Sequence, residues 1–367
     1  VKRRDFLATT ALSASAFMIN GCHRPYENEK DDNQTISTHR RKKTILKLAT
    51  SWPAHFPIMG TGVERFAKLC YEMSGGTLEI KVYPKDILVP AMEVFDATSA
   101  AQIDAFHSGV YYWKGKNSAF SIFGGMPLGL TSEEMITWLK FGGGYSLWQE
   151  LYEKFNLYPL IGGTTGPQMG GWFKKEIHSL SDLKGLKMRI PGLGGEVMQK
   201  LGVNPILLPP GEIYTSLERG TIDATEWVGP ALDSMMGFAK IARYYYTGWH
   251  EPGSILEVTF NKIRWEKLSK EHKAIITTAT EDMTGYMLQE FRYKNAKALQ
   301  QLPQQTKIKM FPNDIIEAAK IALNEVLDKE ANANNDFKRV LESYQEFAKL
   351  NKKWDDISTK NFLEIRD

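Results

Sequence analysis

The chain is poor in cysteine and histidine, has almost no net charge, and lacks any run of 18 apolar residues. Cys22 and Cys70 are its only cysteines among 367 residues. That excludes a disulfide framework, and if Cys22 serves another role Cys70 stands alone. Cys70 follows the apolar spacing Val63, Phe66, Ala67, Cys70, Met73, which predicts a core position on a helix rather than a reactive thiol. The seven histidines (23, 39, 55, 107, 178, 250 and 272) show no pair at metal-ligand spacing, and CxxC, HExxH and GxSxG are all missing. An enzyme reading therefore has neither a nucleophile–base pair nor a redox motif to stand on. The formal charge is +3, of which Lys2, Arg3, Arg4 and Asp5 supply two, so nothing suggests a nucleic-acid partner. Without a long apolar run the body is not expected to span a membrane.

What is present begins with an N-terminus unlike the rest. "KRRDFL" is followed by the 13-residue apolar, small-residue stretch Leu7–Ile19 and then by Asn20-Gly21-Cys22. A basic start before a stretch too short for a membrane span fits an export signal over residues 1–22. The paired arginines with Phe6-Leu7 resemble a twin-arginine signal. Ile19-Asn20-Gly21-Cys22 resembles a lipobox, which makes Cys22 a candidate for lipid attachment. Residues 23–43 are polar and aperiodic and read as a tether.

The body reads as α/β. "ILKLAT" (45–50), a helix over 62–76 and "LEIKVY" (78–83) form a βαβ unit, with Gly75-Gly76 ending the helix. A second set follows: strand 186–192, helix 195–202, strand 204–209, helix 211–220 and strand 221–227. "EVFDATSAAQIDA" (93–105) aligns without a gap on "EIYTSLERGTIDA" (212–224), matching Glu93 with Glu212, Phe95 with Tyr214 and Ile103-Asp104-Ala105 with Ile222-Asp223-Ala224. This is an internal repeat, one copy per lobe. Two lobes with mixed, mostly parallel sheets would face each other across a cleft, with ligands beyond the carboxyl ends of the strands. That puts "FHSG" (106–109) and "TEWVG" (225–229) at the cleft. Long helical patterns over 269–302, 312–334 and 337–358 complete the chain, the first beginning at Ser269.

The polar residues at segment ends are Gln168, Arg189, Glu226 beside Trp227, and Glu251. Arginine can grip a carboxylate with two parallel hydrogen bonds. Glutamate, an amide oxygen and a backbone carbonyl are hard oxygen donors suited to Na⁺ or Ca²⁺. Arg189 with Glu226 fits a small acid bound together with a cation, and equally a salt bridge that only holds the lobe together. "GLGGEV" (192–197) lacks the pattern of a phosphate loop, so no organic cofactor is expected, and its glycines read as a turn into a helix.

"TILKLATSWP", "SDLKGLKMRIPG" and "LPPGEIYTSLERGTIDATEWVGP" together resemble the solute-binding proteins of TRAP (tripartite ATP-independent periplasmic) transporters over residues 44–345. The Glu-Trp pair and "YYYTGWHEPG" (244–253) are similar to the branch that binds 2-oxo or 2-hydroxy acids such as pyruvate or lactate with a metal ion. The resemblance implies a two-lobed periplasmic binding protein fold. Residues 44–165 and 254–311 would form the first lobe, 166–253 the second, and 312–367 the C-terminal helices. It implies that Arg189 holds the substrate carboxylate, and that Gln168, Glu226 and the main-chain carbonyl of Trp227 hold Na⁺ or Ca²⁺. Glu251 would complete the metal shell, and Tyr112 would hydrogen-bond the ligand. Phe56, Trp52 and the Trp227 ring would wall the pocket. It further implies a hinge closure, a periplasmic location, docking on the small and large membrane permease subunits, and a homodimer through the C-terminal helix. Another organic anion (a sugar acid, an aromatic or a dicarboxylic acid) and a lipid-anchored ligand sensor are the alternatives.

Overall fold

The computed structural model describes residues 43–366, so the expected export signal, Cys22 and almost all of the tether lie outside the described residues. The body carries two sheets. The first contains β1 (Thr44–Thr50), β2 (Leu78–Tyr83), β3 (Ala105–Gly109), β4 (Leu157–Thr164) and β10 (Ile255–Asn261), in the order β2-β1-β3-β10-β4. The second contains β5 (Gly171–Phe173), β6 (Lys187–Arg189), β7 (Asn204–Ile206), β8 (Ala224–Thr225), β9 (Tyr244–Tyr246) and β11 (Lys307–Lys309), in the order β11-β9-β5-β8-β6-β7. Each sheet has one strand antiparallel to both neighbours, β10 in the first and β5 in the second, while the remaining pairs are parallel. The mixed, mostly parallel architecture follows from the βαβ repeats, whose crossovers make parallel neighbours.

The repeat is visible in three dimensions. Glu93 and Glu212 each precede a short helix, Val94–Ser99 and Ile213–Arg219, at the same φ of −103°. Ile103 and Ile222 are buried behind the two helices. Asp104 then accepts the Lys47 amide at 2.8 Å, and Asp223 the Lys187 amide at 2.9 Å, locking β1 to β3 and β6 to β8.

Several boundaries differ from the sequence reading: the strands expected over 186–192 and 204–209 shorten to Lys187–Arg189 and Asn204–Ile206, and the helix expected over 62–76 runs from Met59 to Met73. Only Ala224–Thr225 of the expected strand 221–227 is a strand, because its antiparallel partner β5 pairs with those two residues alone. The helix expected from 195 begins at Gly192, so the glycines form its first turn. β11 pairs with β9, so the chain assigned to the first lobe over 254–311 crosses back to the second sheet at Lys307–Lys309.

The stretch 269–302 is one helix, Lys270–Leu299, whose N-cap Ser269 accepts the His272 amide at 3.1 Å. It packs on β4 and the helix Met59–Met73 of the first lobe and on the helix Pro230–Met236 of the second. Helix Asn313–Ala333 leans on the helix Gly192–Lys200, and Asn335–Ile357 on the first lobe, where the Tyr344 hydroxyl accepts the Leu130 amide at 2.6 Å. Cys70 is fully buried, and burial pushes its thiol up to about 12, as a core cysteine requires. Among the described residues no helix is long and apolar enough to cross a membrane.

Candidate functional site

Besides the long helix, the chain passes between the sheets through two connectors, residues 165–170 after β4 and 247–254 before β10. They hydrogen-bond to each other, the Thr165 amide to Ser254 O (3.3 Å) and the Gln168 amide to Glu251 O (3.0 Å). Their contact is close: a Cβ on Gly248 would lie 1.8 Å from the Gln168 carbonyl oxygen. Gln168 and Glu251 thus sit on the segments where any lobe motion must be absorbed, a placement that the sequence did not reveal.

The orientation of Gln168 is fixed by its neighbours. The Thr165 hydroxyl donates to Gly166 O (2.9 Å) and the Ser254 hydroxyl donates to Glu251. Toward Gln168 both hydroxyls can only accept, so its Nε2 donates to each at 3.1 Å. The amide oxygen Oε1 is left buried and without a partner.

Arg189 ends β6 and is 1 % exposed, beside the equally buried Glu226. Its Nη1 donates to the Glu226 carboxylate and to the Glu226 main-chain oxygen (3.3 Å), and its guanidinium lies 5.2 Å from the centre of the Trp227 ring. Burial pulls the guanidinium pKa down, but the Glu226 charge together with smaller contributions from Tyr112, Tyr111 and Glu251 more than offsets this and carries it above the ordinary arginine value. The salt bridge left open by the residue types is therefore formed, inside a larger cluster. His250 Nε2 stands 3.3 Å from the other Glu226 oxygen. Burial lowers the His250 pKa, yet the hydrogen bond and charge of Glu226, with the charge of Glu251, carry it above the ordinary histidine value. Burial pushes the Glu251 carboxyl up to about 7, with the Glu226 charge adding to the shift and His250 and Arg189 opposing it.

Four polar side-chain atoms around this cluster are buried and unpartnered: Gln168 Oε1, Tyr112 Oη, Trp227 Nε1 and His250 Nδ1. Buried polar atoms ordinarily find partners, and one orphan costs about 1–3 kcal/mol. Four beside one ion pair are the mark of a ligand site. Phe56 closes it from the first lobe, edge-on to Trp227 with ring centroids 6.4 Å apart. Phe56 lies between two non-glycine residues of positive φ, His55 (φ 53°) and Ile58 (φ 66°, ψ −64°), and a β-branched residue at such a φ marks stored strain. Trp52, expected as a pocket wall, instead donates its indole N–H to His107 Nδ1 (2.7 Å) in the first-lobe core. His250 was not singled out from the sequence. A lone histidine in a loop carries no spacing signal, and only its adjacency to Glu251 in "GWHEPG" pointed there.

Among the described residues no group of three or more His, Cys, Asp and Glu could hold a metal. Oxygen atoms of other kinds are present instead: Gln168 Oε1 is buried without a partner, and the Glu226 carboxylate is buried between Arg189 and His250. Such a mixed set fits a hard cation of low charge, as the resemblance implies.

Two lobes joined by connectors, with a buried charged site between them, are the architecture of a two-lobed binding protein. The chain belongs to the bacterial extracellular solute-binding proteins, family 7, whose model matches residues 48–334. It is 40% identical over 99% of both chains to a monocarboxylate 2-oxoacid-binding periplasmic protein of Nostoc sp.. Two crystal structures of TRAP periplasmic solute-binding proteins superpose at a TM-score of 0.85 and 40% identity, covering 88% of this chain and 99% of theirs. The protein from Colwellia psychrerythraea holds calcium and pyruvate, and that from Pseudoalteromonas atlantica holds sodium and pyruvate. The fold is thus that of a TRAP solute-binding protein, a class that works in transport outside the cytoplasm.

Proposed function

We propose that this protein captures a small 2-oxo or 2-hydroxy monocarboxylate, of the pyruvate or lactate class, together with Na⁺ or Ca²⁺, and delivers it to a membrane permease of small and large subunits. The observation that carries this reading is the set of four unpartnered buried polar atoms around the Arg189–Glu226 pair. The pyruvate and metal ions of the two 40%-identical structures support it. Arg189 binds the substrate carboxylate through the guanidinium face not used by Glu226. Gln168 Oε1, the Glu226 carboxylate and the Trp227 carbonyl hold the cation, and Glu251 joins them from the adjoining connector. A bound cation supplies positive charge that offsets the acid's negative charge in a buried setting. Tyr112 donates its hydroxyl to the ligand, while Phe56 and the Trp227 ring limit its side chain. The two connectors serve as the hinge, with the lobes closing over the ligand. No bond is made or broken.

The mature protein is exported and works in the periplasm, with Cys22 as its lipid anchor. A second copy docks through the C-terminal helices, where Leu350, Trp354, Ile357, Phe362 and Ile365 are each at least 64% exposed. Such a row of large apolar side chains is unusual on a monomer.

The test is titration calorimetry of the mature protein with pyruvate, lactate and a longer 2-oxo acid, with Na⁺ or Ca²⁺ present and after chelation, beside Arg189→Ala. Ion-dependent binding that vanishes in Arg189→Ala is the expected result. Ion-independent binding would reduce Glu226 to a structural partner of Arg189. No binding of any of these acids would remove the substrate class.

A further inference from the structure

Between β8 and the helix Pro230–Met236 the chain passes through Glu226, Trp227, Val228 and Gly229. Three of these four carbonyls have donors. Glu226 O takes the Thr225 hydroxyl (2.8 Å) and Arg189 Nη1 (3.3 Å), Val228 O takes the Met169 amide (2.9 Å), and Gly229 O takes the Asp233 amide (2.9 Å). Among the described residues no donor meets the Trp227 carbonyl.

The opposite side of the same peptide unit is firmly anchored. The Val228 N–H donates to Asp233 Oδ1 at 3.1 Å and the Gly229 N–H donates to the same oxygen at 3.0 Å. Oδ2 of Asp233 accepts Trp172 Nε1 (3.0 Å) and the Tyr245 hydroxyl (2.8 Å), whose rings stack with centroids 4.0 Å apart. Asp233 is fully buried and has no cationic partner among the described residues, so these four donors are what satisfies it. All described peptide bonds are trans, so the N–H and C=O of the Trp227–Val228 unit point in opposite directions. Pinning the Val228 N–H fixes the direction of the Trp227 carbonyl.

We propose that Asp233 is a positioning residue: by holding the Val228 and Gly229 amides, and being held by Trp172 and Tyr245, it aims the Trp227 carbonyl at the cation. This rests on the reading that the Trp227 carbonyl is a cation ligand. Asp233 itself does not touch the ion. Partners of this kind, one bond removed from a metal, typically contribute about 10–100-fold to its affinity.

Terbium(III) tests this in the full protein, because a lanthanide takes oxygen sites of this kind and its luminescence lifetimes in H₂O and D₂O count the waters on it. Trp227 would sensitise the emission, and Ca²⁺ would compete it away. Gln168→Ala, which removes a direct ligand, is expected to add one water and serves as the control for the cation reading. Asp233→Ala is expected to add one water also and to weaken Ca²⁺ about 10–100-fold, whereas Asp233→Asn, which keeps an oxygen toward both amides but sets its NH₂ against the Trp172 N–H, returns the native water count with Ca²⁺ weakened only several-fold. If Gln168→Ala adds a water and a folded Asp233→Ala adds none, the positioning role is overturned while the cation reading stands. If the native protein gives no Ca²⁺-competed emission, the cation reading fails first. Should Asp233→Ala not fold, Trp172→Phe keeps the ring on Tyr245 and removes one donor from the carboxylate. It should weaken Ca²⁺ several-fold, and unchanged Ca²⁺ affinity overturns the proposal.

Discussion

In the first lobe the helix–strand repeat runs on into β3, buried along all five residues from Ala105 to Gly109 between β1 and β10. In the second lobe the matching strand, β8, stops after Ala224–Thr225. The repeat sets His107 against Glu226, and the strand registers set Ala49 against Arg189. His107 is satisfied at both nitrogens, accepting Trp52 Nε1 at Nδ1 (2.7 Å) and donating from Nε2 to Gly162 O (2.9 Å). Burial pulls its pKa down to about 4, so it stays neutral. At the same place in the second lobe stand the Arg189–Glu226 pair and the unpartnered Trp227 Nε1, with the orphaned atoms of Gln168 and His250 on the adjoining connectors and that of Tyr112 just past β3. The matched position therefore holds a neutral, fully bonded histidine in one lobe and a charged pair in the other. A strand that keeps its partners consumes its backbone groups, and one that loses them early frees them for a ligand.

The difference can be broken at four points, from the largest expected effect to the smallest. Arg189→Ala leaves Glu226 buried with only His250 beside it, and stability should fall by about 3–5 kcal/mol in denaturant unfolding, together with loss of acid binding. Gly248→Ala drives a methyl group into the Gln168 carbonyl where the connectors touch. A loss of about 3 kcal/mol is expected in the same measurement, while Gly115→Ala, with open space around it, should leave stability within about 0.5 kcal/mol.

The pH dependence of the closed first-lobe core comes third. The lowered pKa of His107 makes its contribution full above pH 6.5 and lost as pH falls toward 4. Glu257, fully buried and hydrogen-bonded to Trp113 Nε1 (2.6 Å) and Thr259, is pushed by burial up to about 7. Its sign is the reverse: stability declines as pH rises from 4.5 to 7, because the unfolded chain releases the proton that the folded protein keeps. Between pH 4.5 and 6.5 these two slopes oppose each other. Relative to the native protein, His107→Gln should remove a rise of stability with pH and Glu257→Gln a fall, each about 2–3 kcal/mol across its window, measured as the difference in denaturant midpoint against pH, so that groups common to both chains such as Glu251 drop out. Last, Lys114 and Glu196 pair across the lobes while about a quarter exposed. Lys114→Ala should cost no more than about 1 kcal/mol and shift ligand affinity only a few-fold.

Much of this contrast was legible from the residues, and the reasons are local. Asp104 and Asp223 could be matched because each helix, turn and strand lies within a dozen residues, where spacing is informative. Arg189 and Glu226 were visible as charged residues at the ends of apolar segments. Their salt bridge was one of the two readings the residue types allowed, and it is formed. What surrounds it was not visible: the Gln168–Ser254–Glu251 chain and the approach of Gly248 to Gln168 are closed by tertiary contacts that no periodicity encodes. β11 returned to the second sheet through pairing with β9, a contact more than 60 residues away in sequence. Trp52 had the right neighbours for a pocket wall and was claimed by His107 instead.

The most direct measurement is reciprocal titration: pyruvate affinity across a series of Ca²⁺ and Na⁺ concentrations, and cation affinity across a series of pyruvate concentrations. If acid and ion meet at the Arg189–Glu226–Gln168 cluster, each must raise the affinity of the other by the same factor, at least about 10-fold by linkage. A factor of one in both directions would contradict a shared site.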